Sequence, residues 1–173
     1  MKKNILLMLI VFLSAQVKAQ EITKVNLQAS GLTCSLCSNA INKALKTLDF
    51  VAGVDANIRN SSFDISFKPD AKVDLDKLRL KVEDAGFSVA NFYATVHFNS
   101  VKMLNDNCIF IGGSAFQFVN IKDQVMDGDK ILHVLDKGFV LPKELKKNAG
   151  LLTKPKCYDR VGQQMDRLYH VTI

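Results

Sequence analysis

The chain has 173 residues, enough for one ordinary domain or two small ones, and a formal net charge of +6. Half of that charge belongs to the first 19 residues, which hold Lys2, Lys3 and Lys18 and no acid; residues 20–173 keep 20 basic against 17 acidic groups, a balance of +3. So mild a charge, with no clustered basic patch, argues against a nucleic-acid partner.

Met1-Lys2-Lys3-Asn4 precedes nine apolar residues, Ile5 to Leu13, and then Ser14, Ala15, Gln16, Val17, Lys18 and Ala19. A basic start, a short apolar run and small residues at Val17 and Ala19 form the pattern of a secretory signal cut near Ala19. Nine apolar residues are too few to cross a bilayer, which takes roughly 20. The expectation is a periplasmic or secreted protein that is not membrane-embedded after cleavage.

A first unit is expected over 20–91. Val25, Leu27 and Ala29 alternate with Lys24, Asn26 and Gln28, which predicts a half-buried strand. Ser30 to Leu36 reads as a loop. Cys37, Ile41, Ala44, Leu45 and Leu48 then recur at helical spacing. A strand is expected near Asp55–Arg59, and a second where Phe63, Ile65 and Phe67 alternate with polar residues until Pro69 ends the run. Leu75, Leu78, Val82 and Ala85 mark another amphipathic helix stopped by Gly86, and Phe87 and Val89 open a last strand. The order β-α-β-β-α-β is that of an α+β, ferredoxin-like fold.

A second unit, 92–173, reads as mostly strand: Tyr93–Phe98, Asn107–Ile111, Ala115–Ile121, Lys130–Asp136 and Arg167–Ile173. Gly112-Gly113 predicts a hairpin turn, Asp127-Gly128-Asp129 a second turn, and Pro142 opens a short helix through Asn148. Strands interrupted by one helix suggest a small barrel of the OB-like kind.

Four cysteines follow the signal: Cys34, Cys37, Cys108 and Cys157. Cys34-Ser35-Leu36-Cys37 lies where a loop becomes a helix. Two thiols three positions apart there can converge on one ion, and the helix dipole with its unpaired N–H groups favours thiolate. A soft sulfur pair suits Cu(I), whereas structural Zn(II) wants four ligands and this loop offers two. Three readings stand for a bare C-x-x-C: a soft-metal site, a redox dithiol, and a permanent structural disulfide.

The surroundings resemble the heavy-metal-associated family of copper chaperones and metal-transporting ATPase domains. Gly31-Leu32-Thr33-Cys34-Ser35-Leu36-Cys37 looks like that family's G-M-T-C-x-x-C. Gly53-Val54 resembles its G-V turn, Phe63 to Pro69 its strand end, and Val82-Glu83-Asp84-Ala85-Gly86-Phe87 its I-E-D-A-G-[FY] segment. The resemblance implies Cys34 and Cys37 as metal ligands and a transporter domain as metal donor or acceptor. It makes Leu32 a buried support in place of the usual Met, and Phe87 a shield over the metal. Thr33 stands where zinc-preferring relatives carry an acid, which leans toward copper. The alternatives to a copper-trafficking protein are an extracytoplasmic thiol-disulfide redox module and a structural adaptor whose pair is oxidised.

Cys108 and Cys157 read first as a disulfide closing the second unit, then as buried thiols, and last as extra metal ligands. His133 shares an alternation face with Ile131 and Leu135 and is expected as a satisfied core histidine; His97 and His170 also fall on strands. The run Lys143, Lys146, Lys147, Lys154 and Lys156 reads as a solvated face. With no nucleophile elbow, phosphate loop or paired acids, an enzyme is not expected.

Overall fold

A computed structural model describes residues 20–32, 34–152, 157 and 167–173. The expected signal at 1–19 lies outside the described residues, as do Thr33, Lys154 and Lys156.

The elements in order are β1 (Glu21–Ser30), α1 (Ser35–Leu45), β2 (Val51–Asn57), β3 (Ser62–Phe67), α2 (Leu75–Asp84), β4 (Ser88–Met103), β5 (Cys108–Ile111), β6 (Ser114–Phe118), β7 (Gln124–Val134), α3 (Pro142–Asn148) and β8 (Leu168–Thr172). The alternation in β1 is realised: Val25, Leu27 and Ala29 are buried, while Asn26 bonds Asp64 and Gln28 bonds Asn91 on the other face. α1 turns Ile41 and Leu45 into the core, and α2 buries Leu75, Leu78 and Val82. The side chain of Asp74 caps α2, accepting the Lys77 N–H at 3.0 Å. α2 ends with Gly86 at φ +87°, and the Gly86 and Phe87 N–H groups bond back to the carbonyls of Glu83 and Val82 at 2.8 and 3.1 Å. This left-handed ending satisfies two orphan carbonyls and is one that glycine adopts at low cost.

Among the described residues the eight strands form one sheet, in the order β2-β3-β1-β4-β7-β8-β6-β5. The first four, β2-β3-β1-β4, with two helices over their apolar face, are the expected ferredoxin-like unit. The strand-rich remainder is also as expected, but it continues the same sheet. β4 runs 16 residues, pairing with β1 over its first part and with β7 over most of its length. The anticipated boundary at 91/92 therefore falls inside a strand.

The strands β4-β7-β8-β6-β5 curl. Phe98 on β4 meets Phe118 on β6 edge to face, with centroids 6.4 Å apart, although those strands are not neighbours. No ladder joins β5 back to β4 among the described residues, so the sheet is open and curled, not a closed barrel of the OB-like kind. The expected turn at Asp127–Asp129 is likewise not a turn. β7 runs straight through it, with Gly128 at φ +67° opposite Phe98, where the pairing with β4 shifts register. The Asp127 carboxylate accepts the N–H and hydroxyl of Ser100 at 3.0 and 2.9 Å. These bonds hold its pKa below the usual carboxylate range. An Asp-Gly pair thus serves a bulge, where positive φ is needed as much as in a hairpin.

The two halves meet at α2. Phe139 packs edge to face on Phe92 at 5.0 Å and on Tyr169 at 5.7 Å, and the Arg79 guanidinium lies 5.6 Å from the Phe139 ring centre. Asp76, in the first turn of α2, accepts from Arg79 Nε at 3.2 Å, Arg167 Nε at 3.0 Å and the Tyr169 hydroxyl at 3.0 Å. Among the described residues, no helix is long and apolar enough to cross a membrane.

Candidate metal centre

β1 ends at Ser30, which pairs with Ser88 of β4 and donates its hydroxyl to the Ser88 carbonyl at 3.2 Å. The loop that follows therefore leaves the sheet beside the start of β4, where Phe87 ends the α2 turn. Leu32 is partly buried and packs on the core. Phe87 is also half-buried against that core, at the same sheet end as the cysteine loop.

Cys34 is the N-cap of α1. Its backbone is extended, and its sulfur accepts the Cys37 N–H at 3.1 Å. A sulfur in the place of the usual capping oxygen sits against the positive end of the helix dipole, the setting that favours thiolate. Cys34 is exposed and Cys37 partly buried. Their sulfurs lie at disulfide-bonding distance, with Cα atoms 5.4 Å apart. The two sulfurs can therefore close a disulfide or, when reduced, face one ion. Leu36 between them is 78% exposed, and the first turn of α1 holds no acidic residue. Among the described residues, the loop and first turn present two soft sulfur donors and no carboxylate.

The second pair is also brought together. Cys108 on β5 and Cys157 lie at disulfide-bonding distance, with Cα atoms 5.8 Å apart. They pack with Ala115, Leu168 and Phe110 in a small cluster apart from the main core.

The histidines divide. His97 meets Asp129 at 2.7 Å on the surface. His133 corrects the expectation of a satisfied core histidine. Its neighbour on that face, Ile131, is 60% exposed, and its ring stacks on Tyr93 with centroids 4.6 Å apart. Its Nε2 is shielded and has no hydrogen-bond partner among the described residues. The alternation holds with the opposite face inward: Leu132 and Val134 are fully buried. Burial lowers the His133 pKa, with Glu144 of α3 acting weakly in the opposite direction.

His170 is 7% exposed; its Nδ1 lies 2.9 Å from Asp136 Oδ1 and its backbone N–H donates to Oδ2 at 2.7 Å. Sequence reading missed this pair, because 34 residues separate the partners and no spacing rule links them. The same holds for the Asp76 cluster. Of the basic run, Lys143, Lys146 and Lys147 are exposed, as expected for a solvated face.

Known proteins match the first part of the chain. The family profile named Heavy-metal-associated domain matches residues 26–88. The chain is 30% identical over 63 residues to the copper chaperone CopZ of Staphylococcus aureus, an overlap covering 36% of this chain and 91% of CopZ. Among solved structures, the yeast copper transporter domain CCC2A is 30% identical, with 39% of this chain and 90% of that one covered and a TM-score of 0.35. Oxidized MerP from Ralstonia metallidurans CH34 is 33% identical, with 41% and 97% covered and a TM-score of 0.36. The cysteine pair at Cys34 and Cys37 lies within the matched segment, and through residues 26–88 the chain belongs to the heavy-metal-associated domain family.

Proposed function

We propose that this protein is an exported carrier that binds one Cu(I) between Cys34 and Cys37 and passes it to, or takes it from, a transporter domain. The observation that carries the reading is the placement of two sulfurs side by side at the exposed start of α1. CopZ, whose length the matched segment nearly spans, is a copper chaperone. Cu(I) accepts two or three soft ligands, while Zn(II) wants four, and α1 brings no carboxylate to complete such a shell. The exposed Cys34 is the ligand a partner thiolate would replace first. Transfer then proceeds by stepwise exchange, one sulfur leaving as another arrives, so the ion is never free. Phe87, seated at the same sheet end, limits access of water and competing ligands. The protein acts by binding and handing over, without catalysis.

The export pattern of residues 1–19 and the approach of Cys108 to Cys157 together support an oxidising compartment. That compartment gives the second reading its weight: with sulfurs close enough to bond, Cys34 and Cys37 could cycle as a redox dithiol. One experiment separates the two. The reduced protein is challenged anaerobically with Cu(I) and with Zn(II), and the oxidised protein is assayed for disulfide exchange with a model dithiol substrate. A carrier holds Cu(I) orders of magnitude more tightly than Zn(II) and exchanges disulfides no faster than a small-molecule thiol. Fast exchange without metal preference would establish the redox module instead.

A further inference from the structure

The export reading has a chemical consequence at the residue after the cut. With Val17 and Ala19 at the two small positions, cleavage leaves Gln20 as the amino terminus. We propose that position 20 of the mature protein is a pyroglutamyl residue, an inference that rests on the export reading.

A terminal α-amine has a pKa of about 8, so part of it is an unprotonated nucleophile at neutral pH. In a terminal glutamine it reaches its own side-chain amide carbon. The amine nitrogen bonds to that carbon, closing a five-membered lactam. The bond from the carbon to the amide nitrogen breaks, and that nitrogen leaves as ammonia. No oxidant or co-reactant is consumed, and the chain loses one positive charge.

The structure gives the ring a defined seat. Gln20 immediately precedes β1, whose first residue, Glu21, already pairs with His97 of β4. Gln20 lines an open groove of about 660 Å³ whose walls mix Phe67, Pro69 and Ile111 with Lys68, Asp70 and Lys72. Ile111 and Gly112 belong to the β5–β6 hairpin and Phe67 to β3, so the terminus sits where the curled second half returns to the base of the first. The groove has room for a neutral ring the size of proline. The ten residues of β1 place Gln20 about 30 Å from the cysteine loop, so the modification protects the terminus without altering the metal site.

The test is intact mass and amino-terminal sequencing of the full-length protein, expressed with its own leader and recovered after export. The proposal expects a chain starting at position 20 and lighter by one ammonia, refractory to stepwise sequencing until treated with a pyroglutamyl peptidase. Gln20→Ala should give full mass and an open terminus. A mature chain of full mass beginning at an open Gln20 would overturn the cyclisation while leaving export intact. A product that keeps residues 1–19 would overturn both.

Discussion

Replacing Asp76 by Ala removes the one acceptor shared by Arg79, Arg167 and Tyr169, and so loosens the second half of the sheet from α2. The three contacts do not weigh equally. Arg79 keeps Glu83 at 2.7 Å, and Arg167 is 43% exposed, so each loses at most about 0.5 kcal/mol. The Tyr169 hydroxyl is different. Tyr169 is 2% exposed, and burial together with the Asp76 carboxylate pushes its pKa well above the ordinary tyrosine range. It is therefore a neutral donor to the Asp76 carboxylate, and deleting the acceptor leaves it unpaired, at a cost of about 1.5–3 kcal/mol. We expect Asp76→Ala to lower the unfolding free energy by about 2–3 kcal/mol in urea titration at unchanged slope. Tyr169→Phe combined with Asp76→Ala should show a coupling of about 1–2 kcal/mol. If Asp76→Ala lies within about 0.5 kcal/mol of wild type, the cluster does not join the halves and the reasoning fails.

Peptide mapping without reduction should find Cys108 linked to Cys157; the 49-residue separation makes loss of the link by Cys108→Ala cost about 2–4 kcal/mol in denaturant titration. Because burial lowers the folded-state pKa of His133, its neutral form is favoured in the native protein. The stability it contributes is whole above the unfolded value of about 6.5 and is lost as pH falls below it, so the stability of His133→Phe should decline less between neutral pH and the acid transition. If Phe87 shields the site as proposed, Phe87→Ala should leave Cu(I) affinity nearly unchanged yet speed transfer to a chelator severalfold in stopped-flow measurements.

What the residues announced in advance was local. The period-two pattern of Val25, Leu27 and Ala29, the spacing of Leu75, Leu78 and Val82, and Pro142 at the start of α3 each act within one element, where side-chain periodicity mirrors burial. The cysteine loop was legible for the same reason: ligand spacing and helix start lie within seven residues. What escaped was set by distant pairing. The length of β4 depends on β7 arriving to extend it, and Gly128 serves a bulge only because Phe98 and Val101 stand opposite. The side of the sheet that His133 occupies is decided by which face the helices cover. The Asp76 cluster spans more than 90 residues, and Asp136–His170 spans 34; no window along the chain contains both partners.

The carrier claim rests on Cys34 and Cys37, and an anaerobic Cu(I) competition titration against a chromogenic chelator tests it directly. The reduced mature protein should take up one Cu(I) per chain. Cys34→Ser and Cys37→Ser should each lose tight binding, because a hydroxyl is a hard, protonated and poor ligand for this ion. Cys108→Ser and Cys157→Ser should keep the wild-type stoichiometry. Equal affinity in Cys34→Ser and wild type would contradict the account.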